Sequence, residues 1–84
     1  VLLLDVRTPG EIADGKIEGA LEIDINGGQF QHQIAQLDKE KTYLVYCKAG
    51  GRSARACKAM EKAGFSKLYN LKGGYTAWKE TEVK

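Results

Sequence analysis

Two runs of apolar and β-branched residues, each leading into a helix or loop signal, restrict this 84-residue chain more than any other feature. Val1 to Leu4, followed by Asp5-Val6, is a continuous apolar run, and Thr42 to Tyr46 is β-branched and aromatic. Runs without polar alternation suit strands covered on both faces, as in a parallel sheet. Parallel neighbours cannot be joined by a hairpin and need a crossover, ordinarily a helix. The sequence supplies such crossovers. Thr8-Pro9-Gly10-Glu11 reads as a capping box with Pro at the first helical position, opening a short helix that ends near Gly15. Ala20 to Ile25 alternates weakly and predicts a short, half-exposed strand, and Asn26-Gly27-Gly28 predicts a turn. Phe30, Ile34 and Leu37 mark one face of a helix running to about Leu37. A further helix is expected from Ser53 to Ala63, with Ala56, Ala59, Met60 and Ala63 inward and Gly64 as its stop. Lys67 to Leu71 reads as another short strand, and Gly73-Gly74 turns the chain into a last helix carrying Tyr75 and Trp78. Strands and helices alternating over such short connections predict an α/β domain: a small, mostly parallel β-sheet flanked by helices on both faces.

Length and composition narrow the function classes. A chain this short hides about 60 to 65% of its unfolded surface on folding, which supports one hydrophobic core and one domain. The content is 43% hydrophobic and 29% charged with one Pro, as in a globular chain rather than a disordered one. A net charge of +2, evenly spread, does not point to a nucleic-acid or membrane-surface partner. No apolar run approaches the roughly 20 residues of a membrane span. Two cysteines and one histidine do not furnish a four-ligand zinc site, so no metal is expected. Cys47 and Cys57 are also not a C-x-x-C pair.

The chemistry is expected in the loop Cys47-Lys48-Ala49-Gly50-Gly51-Arg52-Ser53, which joins the end of a buried strand to a helix start. Ligands collect at the carboxyl ends of strands in open parallel sheets. Two glycines let successive backbone N–H groups turn inward around one point. The helix start adds about half a positive charge, and Lys48 and Arg52 add side-chain cations. Together they favour an anion at the loop centre, and Cys47 is the one side chain there that can become an anionic nucleophile. An ordinary thiol, with pKa near 8.5, is only about 3% ionised at pH 7. Lowering that pKa to about 7 needs roughly 2 kcal/mol, within reach of inward amides and a helix terminus. Cys57, spaced like the small apolar residues of its helix, is expected to pack in the core, and His32 to be solvated. The G-x-x-x-x-G-K-[ST] phosphate-loop pattern is absent.

Cys47-x-x-Gly50-x-Arg52-Ser53 resembles the active-site loop of the rhodanese family of sulfurtransferases, of the small single-domain type. Three other stretches match in order. Leu4-Asp5-Val6-Arg7 with Glu11 resembles the family's first strand and Asp-x-Arg signature. Gly15-Lys16-Ile17-Glu18-Gly19-Ala20 resembles its Gly-His-Ile-Pro-Gly-Ala segment, with Lys16 and Glu18 in place of His and Pro. Leu71-Lys72-Gly73-Gly74 with Trp78 resembles its closing Gly-Gly…Trp pattern. The resemblance implies a rhodanese-like fold over residues 1–84 as a single domain, lacking the N-terminal helix that ordinarily precedes the first strand. It implies a Cys47 nucleophile that takes a sulfane sulfur from a small anionic donor such as thiosulfate or a persulfide. The sulfur then passes to a thiol or cyanide acceptor, including a thioredoxin-like protein. No cofactor is implied. Lys48, Ala49, Gly50, Gly51, Arg52 and Ser53 would form the substrate loop, with Lys48 seating the sulfonate and Arg52 partly tying the loop. Asp5, Arg7 and Glu11 read as a supporting charge cluster. The expected state is a monomer. A reactive thiol suits a reducing cytoplasm, and the resemblance extends to proteins of the bacterial periplasm.

Two rival readings stand beside this one. Cysteine-dependent phosphatases and arsenate reductases also cradle an oxyanion in a Cys-to-Arg loop. Tyrosine-phosphatase loops are longer than the four residues from Lys48 to Gly51, and a shorter loop makes a smaller ring of amides. A non-catalytic rhodanese-like binding module is the second, and the presence of Cys47 weighs against it.

Overall fold

In the computed structural model, which describes residues 1–82, strand and helix alternate along the chain. The elements are β1 (Leu2–Asp5), α1 (Pro9–Ala13), β2 (Leu21–Glu22), α2 (Phe30–Ile34), β3 (Tyr43–Tyr46), α3 (Gly51–Lys62), β4 (Leu68–Asn70) and α4 (Gly74–Glu82). The four strands form one sheet in the order β2-β1-β3-β4, and every pairing is parallel. From β1 the chain crosses to one edge of the sheet, and from β3 it crosses to the other. The loops leaving β1 and β3 therefore diverge, and the crevice between them is where open parallel sheets hold ligands.

Side-chain alternation sorts the strands' residues onto two faces. Leu4, Val6, Tyr43, Val45 and Cys47 pack on one face with Phe30 and Ile34 of α2, Ala56 and Met60 of α3, and Phe65. Tyr46 and Leu3 face the other way, onto Ile17, Ala20, Leu71, Tyr75 and Trp78, so α4 and the 15–20 segment cover that side. Burial of β1 starts late: Val1 is 89% exposed and Leu2 38%, and the run is enclosed only from Leu4. Likewise Leu21 at the sheet edge is exposed while Ile23, beyond the end of β2, is buried.

Helix boundaries follow from local chemistry, with two departures from the sequence pattern. Thr8 caps α1 in a full capping box with Glu11, and Pro9 opens it. Rather than continuing to Leu37, α2 ends at Ile34. The next residues wind more tightly through N–H bonds from Gln36 to the Gln33 carbonyl and from Leu37 to that of Ile34. Leu37 still reaches the core. The start of α3 is Gly51, two residues before Ser53, because Gly50 takes a left-handed conformation (φ 115°) and turns the chain at once into the helix. Its end is a Schellman closure around Gly64 (φ 106°): Gly64 N–H bonds to the Glu61 carbonyl and Phe65 N–H to that of Met60. Phe65 then drops against Met60 in the core and meets Tyr43 edge to face, with ring centroids 5.6 Å apart.

Phe65 is 2% exposed and pins the far end of α3 to β3. Phe65→Ala is expected to lower the unfolding free energy by about 3 to 5 kcal/mol, read as a reduced urea midpoint.

Candidate active site

Cys47 directly follows β3, so its side chain continues the alternation into the α2–α3 face and is 1% exposed. Around its sulfur the next loop closes. The Gly50 N–H donates to Sγ at 3.0 Å, and the Ser53 hydroxyl oxygen lies 3.5 Å away. The backbone N–H groups of Ala49 and Ser53 also act on the sulfur. Burial pushes the thiol pKa up, but the Ser53 hydroxyl and the amides of Ser53, Gly50 and Ala49 outweigh it. The result is a pKa lowered from the ordinary 9.0 to about 7. Near neutral pH about half of Cys47 is thus thiolate, held by neutral dipoles and by the N-terminus of α3.

The cradle is aimed from outside by α4. The first N–H groups of a helix have no partner within it. Here Tyr75 N–H bonds to the Cys47 carbonyl at 2.8 Å and Thr76 N–H to the Lys48 carbonyl at 3.1 Å. A trans peptide points its carbonyl and its N–H in opposite directions. Holding the Lys48 carbonyl outward therefore turns the Ala49 N–H of the same peptide inward, where it acts on the sulfur. So close an approach requires Gly74, which has φ 61°. A Cβ there would lie 2.5 Å from the Cys47 carbonyl oxygen and 2.6 Å from that of Lys48.

Ser53 is fully buried and anchors the loop to β4. Its Oγ contacts Asn70 Oδ1 at 2.5 Å and the Gly50 carbonyl at 3.0 Å, while Asn70 Nδ2 donates to that carbonyl at 3.3 Å.

The charges divide differently from the sequence expectation. Arg52 ties the loop through its guanidinium fork, and its charge still acts on Cys47. Its guanidinium forks onto Glu11 at 2.7 and 2.8 Å, leaving less net charge at the loop centre than the sequence suggested. Glu11 also accepts from the Thr8 backbone and hydroxyl. Pairing with Arg52, against a smaller opposing effect of burial, brings its pKa to about 2. Asp5 and Arg7 form a separate pair. Both are buried, joined by contacts of 2.7 to 3.1 Å, and Arg7 donates to the Gly15 carbonyl at 2.7 Å. Arg7 stacks 4.4 Å over the Tyr75 ring, which itself stacks on Tyr46 and Trp78. This pair braces the second face of the sheet.

The structure thus gathers Cys47 and the segment Lys48, Ala49, Gly50, Gly51, Arg52 and Ser53 into one cradle, with the Lys48 and Ala49 side chains exposed. It places Asp5 and Arg7 outside that cradle. Asn70, Gly74, Tyr75 and Thr76 also belong to the site, though no local pattern marks them except the Gly73-Gly74 pair. A cleft of about 480 Å³ flanks the loop between α1 and α4, and Arg7 and Glu11 line it together with Lys48, Tyr75, Thr76 and Lys79, but Cys47 is not among its walls. Among the described residues, no three His, Cys, Asp or Glu side chains gather so as to hold a metal ion, and no helix is long and apolar enough to cross a membrane.

A family model described as "Rhodanese-like domain" matches residues 1–81. The putative sulfurtransferase YtwF of Bacillus subtilis is 40% identical over 83 residues, covering 98% of this chain and 78% of that protein. The thiosulfate sulfurtransferase GlpE of Shewanella oneidensis is 32% identical, covering 99% and 80%. Among solved structures, the crystal structure of a rhodanese-related protein from Thermoplasma volcanium matches with a TM-score of 0.86 at 31% identity, covering 95% of this chain and 77% of that one.

Alkylation of Cys47 by iodoacetamide, followed on its own peptide by mass spectrometry, is expected to rise with pH through a midpoint of about 7. Cys57, whose pKa burial raises, reacts at higher pH. Gly74→Ala displaces the two carbonyls and should move the Cys47 midpoint up toward 9.0. A second expectation concerns the strap between α1 and the loop. Glu11→Gln keeps the capping box but loses the ion pair, costing about 1 to 2 kcal/mol at neutral pH. A carboxylate whose pKa is depressed on folding stabilises the fold above its unfolded pKa, and that contribution fades as pH falls through the folded one. The difference in urea midpoint between wild type and variant should therefore be full above about pH 4.5 and shrink as pH falls toward 2.

Proposed function

Because this chain belongs to the rhodanese-like domain family, we propose that it moves a sulfane sulfur from thiosulfate or a persulfide donor to a thiophilic acceptor through a persulfide on Cys47. That it is a sulfurtransferase of the rhodanese type in general follows from its relatives. The donor and the covalent intermediate are the finer reading. The observation that carries it is the buried Cys47 sulfur, its pKa lowered to about 7, facing backbone N–H donors at the N-terminus of a helix.

In the first half-reaction the Cys47 thiolate attacks the outer sulfur of thiosulfate. A new S–S bond forms, the sulfur–sulfur bond of the donor breaks, and sulfite leaves with its electron pair. The negative charge now sits on the terminal persulfide sulfur, one bond further from Cβ, where the N–H groups of Ala49, Gly50 and Ser53 can follow it. Lys48, exposed at the loop's edge, is suited to the sulfonate end of the donor. In the second half-reaction a nucleophile takes the outer sulfur and the Cys47 thiolate returns. Cyanide does so in an assay, giving thiocyanate. A small thiol or a protein thiol such as that of a thioredoxin-like partner does so in the cell, giving a new persulfide.

The phosphatase reading loses ground on the same geometry. An oxyanion-cradling arginine must offer its fork to the ligand, whereas both terminal nitrogens of Arg52 bond to Glu11. The four-residue span from Lys48 to Gly51 also closes around one atom rather than around a phosphate.

Intact mass after incubation with millimolar thiosulfate tests the proposal. One added sulfur, about 32 Da, should appear as a persulfide, disappear on adding cyanide, and be absent in Cys47→Ala. Hydrolysis of an aryl phosphate with no sulfite released from thiosulfate would sink it.

A further inference from the structure

The Ser53 hydroxyl has one proton and three acceptors within reach. Asn70 Oδ1 lies at 2.5 Å, the Gly50 carbonyl at 3.0 Å and Cys47 Sγ at 3.5 Å. A hydroxyl donates once. With the proton on the nearest oxygen, Ser53 turns a lone pair toward the sulfur. That arrangement accepts from a neutral S–H and gives nothing to a thiolate. If the proton swings to the sulfur instead, the anion gains a donor and Asn70 Oδ1 loses one. Asn70 and the Cys47 anion therefore compete for the same proton. The orientation of the Asn70 amide is set by its neighbour: Nδ2 faces the Gly50 carbonyl at 3.3 Å, and reversing the amide would set two carbonyl oxygens against each other there.

We propose that Asn70, which does not touch the sulfur, is a positioning residue that sets the thiolate population of Cys47 by holding the Ser53 proton in the resting enzyme and yielding it when the sulfur is charged. This role rests on Cys47 being the reacting sulfur. Its effect is to keep the empty site partly protonated and to supply a further donor when the thiolate or the persulfide carries charge. The hydroxyl rotates about its C–O bond while the exposed Asn70 amide draws back from its 2.5 Å contact, so that no two oxygens face each other there, and the backbone need not move.

The charged groups around this trio belong to other elements and stay in place when Asn70 is replaced. They are Arg52 with its partner Glu11 on α1, Lys48 on the loop, Asp24 beyond β2, and the Asp5–Arg7 pair at the end of β1. The α4 face contributes Tyr75 and Lys79, and α2 carries His32 on its exposed side.

The test is the pH profile of Cys47 alkylation, which needs no sulfur donor, so it stands or falls apart from the persulfide mass experiment. Asn70→Leu removes the competing acceptor and should lower the midpoint by about one pH unit, the size of one hydrogen bond to a charged group. Asn70→Asp, close in shape and a stronger acceptor, should raise it. Ser53→Ala should raise it too, and Asn70→Leu should then have no further effect, because the proton being contested is gone. An Asn70→Leu midpoint that is unchanged or raised, or a shift that persists in the Ser53→Ala background, overturns the proposal. Should Asn70→Leu fail to fold, Asn70→Asp is measured with Ser53 and in the Ser53→Ala background: the added charge raises the midpoint in both, and a rise no larger with Ser53 present overturns the proposal.

Discussion

The site depends on a backbone contact that involves none of its side chains. Tyr75 and Thr76 N–H groups, the free donors at the start of α4, hold the carbonyls of Cys47 and Lys48. Because each peptide is a rigid plane, fixing a carbonyl on one side fixes an N–H on the other. The inward Ala49 amide beside the sulfur is thus set by a helix from the far end of the chain. Gly74 permits the approach, and the Tyr75 ring beneath it is sandwiched by Arg7, Tyr46 and Trp78. The packing on the second face of the sheet and the electrostatics on the first are consequences of one another.

This arrangement also explains why the anion is held by dipoles rather than by full charges. An unpaired arginine beside Cys47 would lower its pKa further. The Arg52–Glu11 fork offsets that charge and uses it as a strap, joining the loop after β3 to the capping box after β1. The two loops at the crevice are thereby locked together at the point where the chain diverges across the sheet. What remains closest to the sulfur are the backbone N–H groups of the loop and the Ser53 hydroxyl.

Much of this was legible along the chain. The apolar runs of β1 and β3, the Thr8-Pro9-Glu11 start of α1, and the Gly64 stop of α3 each carry their own local cause, since a cap or a turn is decided by neighbours within a few residues. Cys47 and its glycine-rich loop stood out for the same reason. Less legible was the extent of the elements. Ile34 and Leu37 share a helical face in the sequence, yet the chain between them tightens out of the α-helix, because packing rather than periodicity decides where a short helix ends. Leu21, Ile23 and Ile25 looked equivalent, but their depth depends on which part of the strand an adjacent helix covers.

The sequence by itself determined the alternation of strands and helices, the family, and the cysteine proposed to react, because these are written in local pattern and in one short loop. Tertiary structure alone decided the partners. Which carboxylate neutralises Arg52, which amide competes for the Ser53 proton, and which helix holds the loop carbonyls are matters of contact between Glu11 and Arg52, Ser53 and Asn70, and Cys47 and Tyr75, pairs separated by 41, 17 and 28 positions. No residue-to-residue spacing encodes such contacts. They arise because the order β2-β1-β3-β4 brings the ends of β1, β3 and β4 side by side, so the chemistry at Cys47 is set by sheet topology.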